Sequence, residues 1–310
     1  MSKDYKSVEP NEQLRDDLQA LVRLAIAEDL RSQMDWTTVC LIDETRRGGC
    51  QIVPRKAGYC AGAALIDWIV QEFDADLTVD VHQRDGTQLE PQKPIASIVG
   101  KVRDLLTAER IILNILCRLC GIATLTRQYV DAIDGTKSRL YDTRKTTPGW
   151  RLIEKYAVRC GGAHSHRSGL YDGFLIKDNH LALAGSGDGP MDIREAADKA
   201  LAWRSGTVGR MHAPEIVEVE VDSLDQFRDV LPSGPDIILL DNFSLDSLRQ
   251  AVAIRDDAGS KVELESSGNV TIDTIAAIAA TGVDRISSGA LTHQATSLDL
   301  GFDWFDADVN

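Results

Sequence analysis

The stretch DIILLDNFSLDSLRQAVAIRDD, Asp236 to Asp257, decides the fold. Four apolar residues, Ile237 to Leu240, lie between Asp236 and Asp241. A short apolar run with polar ends predicts a fully buried strand. Ser244 stands where an N-cap belongs, ready to accept an amide proton from the first helical turn. From Leu245 to Asp257 the apolar positions recur at helical spacing. The same texture extends to both sides. The runs SRLYDT, GFLIKD, EIVEVEV, KVELES and DRISSGA alternate with helical patterns near Gly149–Arg159, Asp192–Arg204, Leu224–Val230 and Ile272–Ala280. Thr271 occupies an N-cap position and Gly282 a C-cap position. Strands that are apolar nearly throughout, separated by helices, predict a parallel sheet covered by helices. From Gly135 onward the chain therefore reads as α/β.

The earlier part has a different texture. Residues 1–10 are polar and are expected to be disordered. EQLRDDLQALVRLAIAEDL reads as an amphipathic helix. Cys40 to Val102 is mixed and β-rich, with a helical pattern in GAALIDWIVQEF, which predicts a compact α+β unit. TAERIILNILCRLCGIATLTRQYVDAI then keeps helical periodicity for 27 residues, and Gly121 is expected to bend or divide it.

Composition bounds the function. Of 310 residues, 43% are hydrophobic and 26% charged, enough apolar material for a substantial core. The net charge of −14 repels polyanions, so neither nucleic acid nor an anionic membrane is an expected partner. No run approaches the ~20 apolar residues of a membrane span. The amino-terminal residues lack the apolar core of a signal peptide, and the expected compartment is the cytoplasm. Six scattered cysteines are then most simply reduced packing residues. Cys117 and Cys120 form a C-x-x-C, but within a helical pattern and with no second Cys/His pair nearby.

The polar residues at the strand ends are sorted by charge. The first run ends in Thr143, Arg144 and Lys145, and the second in Lys177. The third ends in Glu218 and Glu220, and the fourth in Asp241. The last two end in Glu265, Ser266, Ser267, Gly268 and in Ser287, Ser288, Gly289. In an α/β barrel these ends converge on one face, and an open parallel sheet also binds ligands there. Any strand ends where polarity begins, which explains polar ends but not their sorting. Arg144, Lys145, Arg167 and Lys177 can clamp carboxylates or phosphates. Glu220 and Asp241 suit ribose hydroxyls, Mg²⁺ or developing positive charge. The Ser-Gly turns can cradle a phosphate with backbone amides. His164 and His166 could form a metal pair, but no third ligand of matching softness is evident, and His166 reads better as a donor beside Arg167.

Six ordered blocks carry a resemblance: AERIILNILCRLCGIATLT, DTRKTTPGWRLIEKYAVRCGG, HRSGLYDGFLIKDNHL, EVEVDSLDQ, IILLDNFS and GALTHQATSLDLGFDW. From Glu28 to Trp304 the chain resembles the quinolinate phosphoribosyltransferase family, the carboxylating nicotinate-nucleotide pyrophosphorylases. The resemblance implies an N-terminal α/β sandwich domain, residues 1–125 with 296–310 returning to it. An incomplete α/β barrel of parallel strands and outer helices would span 126–295. It implies transfer of phosphoribose from phosphoribosyl pyrophosphate to quinolinate with decarboxylation, giving nicotinate mononucleotide, pyrophosphate and CO2 with Mg²⁺ in NAD biosynthesis. The implied assembly is a homodimer, or a hexamer of dimers, with shared active sites.

Carried over by motif, Thr143, Arg144, Lys145, His166, Arg167 and Lys177 would bind quinolinate, joined by Arg110 from a neighbouring subunit. Lys145, Glu220 and Asp241 would be the catalytic groups. Glu220 and Asp241 would also serve the metal, directly or through water or pyrophosphate. Ser267, Gly268, Ser288 and Gly289 would hold the 5′-phosphate. Three departures from the family pattern touch this region: Asn269 and Ala163 in place of glycine, and Ser165 in place of asparagine. A fourth is MDWTT, Met34 to Thr38, in place of GDITT. None removes a charged group. A nicotinate phosphoribosyltransferase would hold only one carboxylate, and the dense cation set speaks for a dicarboxylate. A catalytically silent sensor would be marked by loss of a charged site residue. No G-x-G-x-x-G follows a strand, which argues against dinucleotide binding.

Overall fold

A computed structural model describes residues 3–185, 189–206 and 213–305. The chain divides into two compact units. The first comprises residues 7–127, 146–162 and 291–310, of which 306–310 lie outside the described residues. Its sheet contains β1 (Arg47–Pro54), β3 (Thr78–Val81), β5 (Ala96–Lys101) and β12 (Leu300–Phe305), in the order β12-β1-β5-β3. All its pairings are antiparallel. Cys50 and Ile52 of β1 lie in register with Trp304 and Phe302 of β12, so the end of the chain completes this sheet. A two-stranded ladder, β2 (Gly58–Tyr59) with β4 (Gln88–Leu89), stands apart from it.

Helices cover the unit. α1 (Glu12–Leu30) buries Leu14, Leu18 and Val22, one side chain per turn, and Asn11 caps it by accepting from the Leu14 amide. α2 (Trp36–Leu41) is capped by Asp35. GAALIDWIVQEF becomes two short 3₁₀ turns flanking α3 (Ile66–Val70). α4 (Val102–Ala132) runs unbroken for 31 residues, so Gly121 does not divide it. A Cβ on Gly121 would lie 2.1 Å from the Thr296 carbonyl oxygen, so the glycine admits the returning chain.

α5 (Arg151–Cys160) lies in this compact unit. Its buried Glu154 accepts from Arg118 Nη2 at 2.8 Å and from Thr147 Oγ1 at 3.0 Å. Tyr156 donates to Asp85, and Arg159 pairs with Glu9. These polar ties outweigh sequence proximity to the strands.

The second unit comprises residues 1–6, 128–145 and 163–290. Its strands are β6 (Arg139–Tyr141), β7 (Phe174–Ile176), β8 (Val217–Val221), β9 (Ile237–Asp241), β10 (Glu263–Ser267) and β11 (Arg285–Ser287). They form one parallel sheet in the order β6-β11-β10-β9-β8-β7. β6 and β7 are its two edges, so hydrogen bonding does not close a ring. Two of the helices are α6 (Asp178–Ala184) and α7 (Ile193–Ser205). The others used below are Leu224–Val230, Leu245–Asp257 and Ile272–Ala279. Ser244 accepts from the Ser247 amide and Thr271 forms a capping box, both as the sequence predicts.

Alternation sorts the strand side chains into two faces. Val217, Val219, Val221, Ile238, Leu240, Leu264 and Ile286 are buried, as are Phe227, Leu248 and Ile275 on the helices. Burying each such side chain contributes about 1.5–3 kcal/mol. The opposite face carries charge. Glu220, Leu239, Glu265, Arg285 and Arg139 form one register row across β8, β9, β10, β11 and β6. Arg285 is fully buried, donates to Glu265 at 2.8 Å, and lies 3.6 Å over the Tyr141 ring.

The amino terminus, expected to be disordered, is held from Lys3 to Lys6 against this same unit. Lys3 Nζ donates to the carbonyls of Asp236 and Lys261 at 3.0 and 2.9 Å. Asp4 pairs with Arg139 at 3.0 Å and with Arg285 at 3.2 Å. The buried cations supply what a polar, low-hydrophobicity segment lacks on its own.

Candidate active site

The carboxyl ends of the six parallel strands surround a cavity of about 420 Å³ that lies wholly within the second unit. Arg144, Lys145, His166, Arg167 and Lys177 contribute its basic side, and Glu220 and Asp241 its acidic side. Thr143, Ser267 and Ser287 add hydroxyls; Leu175 and Leu239 supply apolar floor. A more apolar cavity of about 470 Å³, bounded by α6 and α7, shares Arg167 and Leu175, and no carboxylate lines it among the described residues.

Local sequence explains each placement. After β6, Thr143 Oγ1 accepts from the Lys145 amide at 3.0 Å, a tight turn that sets Arg144 and Lys145 at the rim. The chain at His164 then runs alongside β6: its amide donates to the Leu140 carbonyl at 2.8 Å. The buried Asp142 carboxylate accepts from the His166 amide at 2.8 Å, which turns the His166 ring inward. Arg167 Nη1 donates to the Gly173 carbonyl at 3.1 Å, which holds the guanidinium along one wall. Lys177 caps α6 from the end of β7 and forms a charged hydrogen bond with Glu220.

Beneath the cavity, His166 Nε2 lies 3.2 Å from Glu218 and 3.4 Å from Glu265. Burial pushes the imidazole down, but the two carboxylates outweigh it and raise His166 to about 9. The Arg167 amide, which donates to His166 Nδ1 at 2.8 Å, favours the neutral ring but is a single dipole against two charges. Burial raises Glu265, yet His166 and Arg285 bring it down to about 2. His166, Glu218 and Glu265 have the donor types of a metal site. They already pair with one another, with Arg285 as a further counter-charge, so they form a buried charge cluster. Glu218 and Glu265 were legible as strand ends, but the period-2 alternation of VEVEV and ELESS places them in the interior below the rim.

Glu220 and Asp241 stand apart from that cluster. Burial raises both carboxyls above their ordinary range. Asp241 raises Glu220 further, while Lys177 opposes the rise in each. Two hard oxygen donors that repel each other beside a polar cavity fit a divalent ion such as Mg²⁺.

The serine–glycine turns divide their roles. Gly268 has φ +91°, and a Cβ there would lie 2.1 Å from Asn242 Oδ1. Asn269, at φ 51°, adopts a left-handed conformation that asparagine tolerates, and donates to Asn242 Oδ1 at 3.1 Å. Its replacement of glycine therefore keeps the turn and ties it to the loop after β9. Ser267 reaches the cavity, as does Ser287, which the sequence reading had passed over in favour of its neighbours. Ser288 is buried and donates to the Val270 carbonyl at 3.0 Å, bracing the turn from behind. Gly268, Ser288 and Gly289 are not among the lining residues. Arg110 is exposed on α4 in the first unit and is not among them either.

Comparison with known proteins gives a consistent result. Residues 35–120 match the quinolinate phosphoribosyl transferase N-terminal domain, and residues 122–303 match the C-terminal domain of the same family. A nicotinate-nucleotide pyrophosphorylase [carboxylating] of Mycobacterium leprae is 42% identical over 285 residues, covering 91% of this chain and 95% of the relative. A probable nicotinate-nucleotide pyrophosphorylase [carboxylating] of Bacillus subtilis is 40% identical, covering 82% of each chain. The solved structure of the nicotinate-nucleotide pyrophosphorylase from Francisella tularensis superimposes with a TM-score of 0.85 at 35% identity, over 97% of this chain and 100% of that one. Among the described residues, no helix is long and apolar enough to cross a membrane.

Proposed function

The chain belongs to the quinolinate phosphoribosyltransferase family, and we propose that the charged cavity at its strand ends performs that family's reaction. The enzyme transfers phosphoribose from phosphoribosyl pyrophosphate to quinolinate with loss of CO2, a step of NAD biosynthesis. One observation carries the assignment of the site: four cationic side chains and two carboxylates line a single cavity. Arg144, Lys145, Arg167 and Lys177 would grip the two carboxylates of quinolinate, while Glu220 and Asp241 face the ribose. Ser267 and Ser287, with the turn amides beside them, would receive the 5′-phosphate.

The chemistry follows from that division. The ring nitrogen of quinolinate attacks C1 of the ribose as pyrophosphate leaves, and positive charge develops on the sugar. Glu220 and Asp241 stabilise that charge, and the cations hold the substrate carboxylates and the departing pyrophosphate. Alignment of two bound anions in one cavity supplies much of the rate. Once the nitrogen is quaternary, its positive charge stabilises the electron pair left at C2 as CO2 departs, and C2 then takes a proton from water to give nicotinate mononucleotide. Mg²⁺, held by Glu220 and Asp241 directly or through water, would neutralise pyrophosphate charge.

A second copy of the chain would lend Arg110 to the cavity in a homodimer or dimer-based hexamer, and the enzyme would act in the cytoplasm. The test is direct. Purified protein is mixed with Mg²⁺, phosphoribosyl pyrophosphate and either quinolinate or nicotinate. Nicotinate mononucleotide and CO2 in equal amounts from quinolinate support the assignment. Product from nicotinate alone overturns it.

A further inference from the structure

We propose that Tyr5 is a positioning residue for His166 and Arg167, so that the amino-terminal segment of the chain sets the affinity for quinolinate. The inference rests on the assignment of the cavity given above. It starts from an oddity of the segment. KDYKS, Lys3 to Ser7, is polar and has no helix or strand of its own, yet Tyr5 is 5% exposed. A tyrosine drawn in only by the hydrophobic effect would meet mainly apolar side chains. Here the buried apolar neighbours clustered with it are Ile216 and Ile237, while its hydroxyl and ring also meet Glu218, His166 and Arg285.

Those contacts converge on the two residues that face the cavity. The Tyr5 ring stacks on the His166 ring, with centroids 4.9 Å apart and planes 27° from parallel. The Tyr5 hydroxyl donates to Glu218 Oε2 at 3.0 Å, and Glu218 is the carboxylate that lies 3.2 Å from His166 Nε2. Tyr5 thus fixes the imidazole twice, by its face and through its acidic partner. The other route runs through Gly173. A Cβ at residue 173 would lie 2.7 Å from Tyr5 Cε1, so the ring fills the space a side chain would take. The carbonyl of the same glycine accepts from Arg167 Nη1 at 3.1 Å. The ring therefore backs the peptide that holds the guanidinium.

The segment is itself anchored, so the support is stiff. Asp4 pairs with Arg139 and Arg285, and Lys3 bonds two carbonyls at the strand starts. The Arg285 guanidinium also lies 5.9 Å from the Tyr5 ring centroid. A site works only when the groups behind its first contacts hold them within a fraction of an ångström. Tyr5 touches no substrate in this arrangement; its effect passes through His166 and Arg167, both on the quinolinate side.

Steady-state kinetics on the full-length protein separates this from a merely structural plug. Quinolinate and phosphoribosyl pyrophosphate are varied in turn for wild type, Tyr5→Phe, Tyr5→Ala and Arg144→Ala. Tyr5→Phe keeps the stack and loses the bond to Glu218; its KM for quinolinate is expected to rise about 3- to 10-fold, a fraction of the strength of a charged hydrogen bond. The KM for phosphoribosyl pyrophosphate stays at the wild-type value. Tyr5→Ala is expected to raise the quinolinate KM further. If that variant does not fold, Tyr5→Phe alone decides. Wild-type KM for quinolinate in Tyr5→Phe, or equal rises for both substrates, overturns the proposal. Arg144→Ala keeps the two layers of inference apart. If it raises the quinolinate KM and Tyr5→Phe does not, the role of Tyr5 fails alone. If Arg144→Ala leaves it unchanged, the cavity assignment fails and the Tyr5 proposal with it.

Discussion

Lys177 Nζ, just after β7, donates a charged hydrogen bond to Glu220 Oε2 near the end of β8. This pair joins the two halves of the cavity, because one member is assigned to the diacid and the other to the sugar. A substrate carboxylate must compete with Glu220 for Lys177, and in winning it releases Glu220 toward the ribose.

Removing each partner should therefore have opposite signatures. Lys177→Ala is expected to raise the quinolinate KM by at least about tenfold, since a charged hydrogen bond contributes ~1.5–3 kcal/mol. Glu220→Gln leaves Lys177 available, so the quinolinate KM should not rise. Its kcat should fall by roughly 100-fold or more, the usual loss when a group facing transition-state charge is removed. Initial rates with each substrate varied check both statements.

The two acidic groups also detract from the stability of the substrate-free protein. Burial raises both carboxyls in the folded state, with Asp241 adding to the rise of Glu220 and Asp222 to that of Asp241. A folded-state value above the unfolded one means stability that is present at low pH and is lost as pH rises through the raised value. Glu220→Gln and Asp241→Asn should each raise Tm by up to a few degrees while lowering activity. Thermal melts at pH 7 without substrate are the measurement; a lower Tm in both would oppose this view of the pair.

The charge cluster under the cavity has its own pH signature. His166 is raised to about 9, so its contribution is full below the unfolded value of about 6.5 and is lost as pH rises through about 9. Glu265 is lowered to about 2, so its contribution is present above the usual glutamate value, near 4.3, and is lost as pH falls through about 2. Denaturant midpoints for wild type should fall between pH 6.5 and 9.5. The fall should be smaller in His166→Gln, which cannot take up the proton. Equal slopes in the two proteins would show that His166 does not titrate in this window.

Gly268 is the residue in the phosphate turns least able to change. Its φ of +91° and the proximity of Asn242 leave no room for a Cβ. Gly268→Ala should raise the KM for phosphoribosyl pyrophosphate by about tenfold or more and leave quinolinate binding near wild type. Asn269→Gly, which keeps the backbone conformation and loses one exposed hydrogen bond to Asn242, should change either value by less than about threefold. Kinetics of the two variants side by side check the contrast.

Much of this was written in the sequence, and the exceptions share a cause. Local signals survived: the caps at Ser244 and Thr271, the helix Leu245–Asp257 and the strand Ile237–Asp241 all rest on residues close in sequence. What depended on distant partners did not. Lys3–Lys6 looks disordered because Arg139, Arg285 and Glu218, more than 130 residues away, give it its place. Gly121 looks like a helix breaker because Thr296, which needs the space, is equally remote. The sorting of cations, carboxylates and serines at strand ends anticipated the cavity. Its depth order came only with the sheet. Within β8 Glu218 lies one alternation before Glu220, and within β10 Glu265 lies one before Ser267, so each strand sends one group to the buried cluster and the next to the cavity.

The decisive measurement is a crystal structure of the protein soaked with quinolinate alone. Both carboxylates of the diacid should lie against Arg144, Lys145, Arg167 and Lys177, with the ring nitrogen open toward Glu220 and Asp241. Quinolinate bound elsewhere, with these four cations still in their substrate-free contacts, would mean that the cavity at the strand ends is not where the reaction occurs.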